Sequence, residues 1–131
     1  RAAEGVDTVI FADLDGFKAV NDEHGHAAGD EVLRVVAERL AAETRPEDLV
    51  ARLGGDEFAV LCVGLTQADA TGLMDRLRTA VATPIAIGRG SVTVGLSIGV
   101  ADSFDGAGLE ELLRTADERM YSDKAARAGA V

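Results

Sequence analysis

Arg52-Leu53-Gly54-Gly55-Asp56-Glu57-Phe58 is the stretch around which the rest of the chain falls into order. An apolar run precedes it, Leu49-Val50-Ala51, and another follows, Phe58-Ala59-Val60-Leu61-Cys62-Val63. Two short apolar runs joined through Gly-Gly predict a β-hairpin. Glycine admits positive φ, and without a Cβ it lets another group approach the backbone closely. Asp56 and Glu57 follow at once, and adjacent acids at a tight turn repel unless a cation or a proton compensates. Gly-Gly-Asp by itself also describes an ordinary solvated turn, so its meaning depends on the surrounding chain.

The sequence has 131 residues, enough for one domain with a single core, 1–131, and too few for two. Hydrophobic residues make up 47% and aromatics only 4%, which predicts an aliphatic core. Nothing approaches the length of a membrane span, and no signal peptide is visible. The single cysteine, Cys62, falls mid-strand, where a small buried hydrophobe is the expected role; it offers no disulfide framework and fits a reducing, cytoplasmic setting. A net charge of −10 argues against broad binding of nucleic acid or of an anionic membrane. It leaves room for a phosphate ligand that arrives with divalent cations. The chain begins at Arg1, so it reads as part of a longer protein.

Outward from the hairpin, the apolar run 6–13 ends in acids and predicts a buried strand, and 15–22 a short turn or helix. His26 begins a longer helix whose Val32, Leu33, Val36 and Leu40 recur near helical period, with Pro46 beyond its end. Thr66 with Asp69 three residues on is a helix-start signal, and Leu73, Leu77, Ala80 and Val81 continue that helix up to Pro84. Residues 84–87 predict a short strand turning at Gly88-Arg89-Gly90. Residues 91–100 alternate as one strand: Val92, Val94, Leu96, Ile98 and Val100 on one face, Thr93, Gly95, Ser97 and Gly99 on the other. The small-residue face is where something could pack closely. Leu109, Leu112, Leu113, Ala116 and Met120 mark a last helix. This order predicts an α+β domain, a mainly antiparallel sheet flanked by helices in a ferredoxin-like palm.

Phe11-Ala12-Asp13-Leu14-Asp15-Gly16-Phe17-Lys18 holds the second acidic constellation. In an extended segment Asp13 and Asp15 share a face, and Mg²⁺ favours oxygen ligands of this kind. An EF-hand is excluded because Lys18 stands where its loop needs Gly. A phosphatase with Asp13 as nucleophile also places Asp-x-Asp-Gly after an apolar strand, but it wants a parallel sheet and more chain. A third reading pairs Asp13 with Asp56, one carboxylate from each of two strand ends, at a shared Mg²⁺ beside a triphosphate. Only this reading uses both acidic clusters.

The string Gly54-Gly55-Asp56-Glu57-Phe58, with Asp13-Leu-Asp-Gly-Phe-Lys-Ala-Val-Asn-Asp22 and Gly25-His26-Ala-Ala-Gly-Asp30, resembles the GGDEF family, the diguanylate cyclases, over nearly the whole chain. The resemblance implies a nucleotidyl cyclase palm that condenses two GTP into cyclic di-GMP and pyrophosphate. It implies that Asp13, Asp56 and the Leu14 carbonyl hold Mg²⁺ or Mn²⁺, with Glu57 a further ligand or the group that helps deprotonate the attacking hydroxyl. It places phosphates against Gly54 and Gly55 and near Lys18 and Lys124, and guanine near Phe17, Asn21 and Asp30. A carboxylate suits guanine, whose N1–H and 2-amino group are adjacent donors that adenine lacks. It further implies a homodimer meeting through the active-site faces, in a bacterial protein that carries sensor or phosphodiesterase domains on the same chain.

Arg45-Pro46-Glu47-Asp48 resembles the family's product-inhibition site for cyclic di-GMP, with Arg76 aligned to an arginine supplied from a neighbouring domain. A local salt bridge explains Arg45 and Asp48 equally well when they are taken alone. Two departures from the pattern stand out. The family's usual upstream helix is not in this sequence. Ala128 occupies the position of a family arginine, which leaves a weakened phosphate contact or its replacement by Arg127. His24 and His26 read as turn and helix-start residues. A non-catalytic module that binds GTP or cyclic di-GMP is the alternative to the enzyme.

Overall fold

Side-chain alternation along Val6–Asp15 (β1) sets the layering of the computed structural model, which describes residues 6–65, 67–103, 105 and 108–129. Ile10, Ala12 and Leu14 point to one face, and Val9 and Phe11 to the other. The first face is covered by His26–Ala42 (α2) and Gln67–Ala82 (α3), through Val32, Val36 and Leu40 and through Leu73, Leu77 and Val81. The second is covered by Leu109–Gly129 (α4), through Leu112 and Ala116. Both faces are therefore dry, which is why β1 reads as a continuous apolar run.

β1 is the inner strand of an antiparallel sheet. It pairs on one side with Glu57–Val63 (β3), which pairs in turn with Leu49–Gly54 (β2), and on the other with Gly95–Asp102 (β6), giving the order β2-β3-β1-β6. A short helix, Phe17–His24 (α1), precedes α2, and Ile85–Ile87 (β4) with Gly90–Val92 (β5) forms a separate two-stranded ribbon. This is the α+β, ferredoxin-like palm that the element order implied. His26 opens α2, as read, whereas His24, read as a turn residue, is the last residue of α1; Thr66 of the helix-start signal lies outside the described residues.

One expectation needs correction. The alternating run 91–100 is two strands: β5 ends at Val92 and β6 begins at Gly95. Period-two alternation is local, and it does not register that each half takes a different partner. The small-residue face does receive a close neighbour. A Cβ on Gly99 would run into the Ala116 carbonyl oxygen and the Met120 amide nitrogen of α4. That helix also guards the free edge of β6. Asp123 accepts the Ile98 N–H at 2.8 Å, and Arg119 donates to the Val100 carbonyl at 2.8 Å. An edge strand left bare would recruit another chain. Satisfied by α4, it instead locks that helix, and with it Lys124 and Arg127, over the end of β1.

Candidate active site

The hairpin forms where expected, one residue along. Gly54 closes β2 and Glu57 opens β3, so the turn residues are Gly55 and Asp56. Gly55 takes φ of 51°, a left-handed value that glycine adopts at little cost. Arg52 Nε donates to the Gly55 carbonyl at 2.9 Å and braces the turn. The Leu14 amide donates to the Asp56 carbonyl at 3.2 Å, which pins the hairpin tip to the end of β1. Strand register then sets Asp13 directly between Glu57 on β3 and Ser97 on β6. Asp13 and Asp15 lie on the α4 side of the sheet, opposite Ala12 and Leu14. Of the acids that sequence reasoning grouped, Asp13 and Glu57 are register partners, and the charge of Asp56 is felt at Asp13.

The two acids of β1 differ sharply. Asp15 Oδ1 accepts from Ser97 Oγ at 2.7 Å and Lys124 Nζ at 3.2 Å, and its Oδ2 accepts from Arg127 Nε at 2.7 Å. Burial works against its ionisation, but these donors hold it below the usual carboxylate range. Asp13 is only 7% exposed, and its Oδ1 has no hydrogen-bond partner. Burial, then the charge of Asp56, push Asp13 up to about 6 against the pull of Lys124, whose Nζ stands 3.7 Å from Oδ2. A buried, unpartnered carboxylate oxygen on a strand end with two further acids nearby is a donor set of hard oxygens that suits a small divalent cation. Divalent magnesium fits it. Among the described residues no three His, Cys, Asp or Glu side chains form a ready cage, and Mg²⁺ commonly takes one or two carboxylates and completes its shell with phosphates and water.

Lys124 Nζ also donates to the Leu14 carbonyl at 3.3 Å. With Asp15, Gly16, Arg127 and Ala128 it lines a cavity of about 340 Å³ at the end of β1. Arg127 thus brings a second positive charge to this cavity, where Ala128 offers none. Lys18 is not drawn in: it lies exposed on α1 and pairs with Asp22 at 3.0 Å. Phe17 packs on the core from the start of α1, and Asn21 lies one turn further along it. Asp30, just past the first turn of α2 and not within it as its sequence position suggested, is exposed. Sequence reasoning missed Gly29, which is buried in α2. A Cβ there would collide with the Asn21 side chain and approach Phe17 Cζ to 3.3 Å. A glycine inside an otherwise good helix was the available signal.

Arg45, Asp48 and Arg76 line one cavity of about 180 Å³ between α2, α3 and the start of β2. Asp48 is almost wholly buried and accepts three bonds from Arg45: the backbone amide at 2.9 Å, Nε at 3.1 Å and Nη2 at 2.8 Å. Burial raises the Asp48 carboxyl, but Arg45 outweighs it and holds it low. Asp48 therefore aims the guanidinium, which also donates to the Val63 carbonyl at 2.6 Å. Arg76, expected from a neighbouring domain, lines the cavity within this chain, 3.4 Å from Glu43. Arg76 belongs to α3, which packs beside α2, and that adjacency is invisible in sequence.

The family model described as "Diguanylate cyclase, GGDEF domain" matches residues 3–130. The chain is 47% identical over 117 residues to MucR of Pseudomonas aeruginosa, a bifunctional diguanylate cyclase/cyclic di-GMP phosphodiesterase, covering 88% of this chain and 17% of that protein. It is 44% identical over 137 residues to the response regulator PleD of Caulobacter vibrioides, covering 100% of this chain and 30% of that protein. The solved GGDEF domain of TpbB from Pseudomonas aeruginosa superposes with a TM-score of 0.87 at 40% identity, covering 94% of this chain and 78% of that one. The chain spans less than a third of the length of these two curated relatives.

Proposed function

The chain belongs to the diguanylate cyclase GGDEF family, and from that premise we propose that it condenses two GTP molecules into cyclic di-GMP across a pair of domains. Each 3′-oxygen forms a bond to the α-phosphorus of the other nucleotide, the bond to the β-phosphate breaks, and two pyrophosphates leave. The observation that carries this reading is that Asp13, with a buried carboxylate oxygen left unpartnered, faces Glu57 across the strands and feels the charge of Asp56 at the end of β1. Asp13, the Leu14 carbonyl, Asp56 and Glu57 would hold Mg²⁺ or Mn²⁺. When bound, that ion acidifies the attacking hydroxyl and offsets charge on the phosphates.

The rest of the site binds and orients. Gly54 and Gly55 present backbone without side chains to the phosphates, and Lys124 and Arg127 bring positive charge from α4. Lys18 joins them by leaving Asp22, a pairing that an exposed lysine gives up at little cost. Asn21 and Asp30 read the guanine edge, with Phe17 beneath Asn21. Arg45, Asp48 and Arg76 bind the product and slow the enzyme. Two domains meet through their active-site faces, so turnover rises with concentration. In its parent protein the domain works in the cytoplasm under attached sensor or phosphodiesterase domains. No helix among the described residues is long and apolar enough to cross a membrane.

Incubation with GTP and Mg²⁺ at high protein concentration, followed by nucleotide chromatography, tests this. Cyclic di-GMP from the parent and none from Asp56→Ala supports the cyclase. Inorganic phosphate in place of pyrophosphate would point to a phosphatase. Binding of cyclic di-GMP without turnover would leave the regulatory module.

A further inference from the structure

Asp13 and Asp15 share one face of β1, two residues apart, yet they stand in unequal surroundings. Both oxygens of Asp15 are occupied, by Ser97, Lys124 and Arg127. Asp13 keeps a buried oxygen with no partner. A single ammonium, that of Lys124, stands 3.2 Å from Asp15, 3.3 Å from the Leu14 carbonyl and 3.7 Å from Asp13. A lysine ammonium is a compact point charge, and it competes with a small divalent ion for the same oxygens.

Resting on the reading of Asp13 and Leu14 as cation ligands, we propose that Asp15 is a positioning residue that anchors Lys124 beside Asp13 and keeps the Asp13 carboxylate open to an incoming divalent cation. Ser97 and Arg127 serve this role by fixing the Asp15 carboxyl on both oxygens. Without Asp15, the carboxylate nearest to Lys124 is Asp13. The ion pair of Lys124 with Asp13 Oδ2, loose at 3.7 Å while Asp15 holds the ammonium, would then tighten and compete with the cation for that carboxylate. Lys124 therefore holds two possible posts, and Asp15 decides between them.

The experiment is Mn²⁺ binding to the nucleotide-free protein, read as loss of the free-ion electron paramagnetic resonance signal. It compares the parent with Asp13→Asn, Asp15→Asn, Lys124→Gln and the Asp15→Asn/Lys124→Gln pair. Asp15→Asn is expected to weaken binding about tenfold, as removal of outer-shell partners commonly does. In the Lys124→Gln background the same change should have little effect, because the competitor is gone. A loss of equal size in both backgrounds would reduce Asp15 to bulk negative charge and overturn the proposal, as would unchanged binding in Asp15→Asn. If Asp15→Asn does not fold, Lys124→Gln alone decides. It should tighten Mn²⁺ binding by roughly threefold, and unchanged or weaker binding overturns the proposal. Asp13→Asn separates the layers. Binding that survives it, or a parent that binds no Mn²⁺, would sink the cation reading and this inference together. Binding lost in Asp13→Asn but intact in Asp15→Asn would sink this inference alone.

Discussion

Asp13 bears the cost of its site at the level of a single residue. It is buried, faces Glu57 across the strands, and titrates near 6 instead of 3.8 because burial and Asp56 disfavour its charge. Replacing it with Asn removes that charge and keeps the shape. Asp13→Asn is therefore expected to raise the melting temperature of the metal-free protein by about 3–5 °C while abolishing cyclic di-GMP formation. Differential scanning calorimetry in chelator reads the first effect, and an unchanged or lowered melting point would contradict it. Gly29 makes the complementary case. Its hydrogen leaves room for the Asn21 side chain, so Gly29→Ala should displace Asn21 and raise KM for GTP roughly tenfold. Steady-state kinetics of pyrophosphate release would show it, and a fall in kcat at constant KM would speak against it. Asp13 was legible in the sequence because acids ending an apolar strand are conspicuous. The consequence of Gly29 was not, since the neighbour that it accommodates sits on another helix.

At the scale of elements, the joint between α4 and β6 decides whether there is a site at all. Gly99 lets the helix backbone lie on the strand, while Asp123 and Arg119 satisfy the strand's open edge. Gly99→Ala forces the two apart, because the neighbours of the new methyl are backbone atoms that have no rotamer to yield. A loss of about 3 kcal/mol in urea unfolding is expected, the upper end of ordinary overpacking. Activity should fall further than stability explains, since α4 carries Lys124 and Arg127. A loss under about 0.5 kcal/mol, the size of a bland surface change, would show that the joint is soft. On the other side of the sheet, Arg39 of α2 donates to the carbonyls of Ala80, Thr83 and Pro84, capping the end of α3. The helices and strands themselves were readable from periodicity. The division of 91–100 into β5 and β6 was not, because it depends on pairing partners.

Across the whole molecule, stability should depend on pH with a maximum near pH 5. Asp15 and Asp48 are held low by their donors in spite of burial, and Asp105 is held low by Arg119. Their folded values lie below their unfolded ones. The stability they contribute is present above the usual carboxylate pKa of about 4 and is lost as pH falls through the folded values. Asp13 runs the other way. Its folded value of about 6 exceeds the ordinary 3.8, so the folded state takes up a proton first and gains stability as pH drops from about 6 toward 4. Melting temperature against pH should rise gently from 7 to 5 and then fall steeply, and the gentle rise should vanish in Asp13→Asn. A curve that is flat from 7 to 5 in the parent would refute the assignment. The net charge of −10 adds to the acid cluster's repulsion at neutral pH, so salt and divalent ions should both stabilise.

Sequence by itself determined the element order apart from the split of 91–100 into β5 and β6, together with the antiparallel α+β class, the hairpin and its acids. Periodicity, prolines and Gly-Gly are local signals, and local signals survive without a fold. Only the tertiary structure decided that Asp13 keeps one unpartnered oxygen while Asp15 is saturated, that Arg127 reaches Asp15, that Lys18 rests on Asp22, and that Arg76 lines the same cavity as Arg45 and Asp48. Each of these depends on which strand lies beside which and on where α3 and α4 dock. Charge and space at a carboxylate are set by neighbours brought from up to 112 positions away in the chain, as Arg127 is to Asp15.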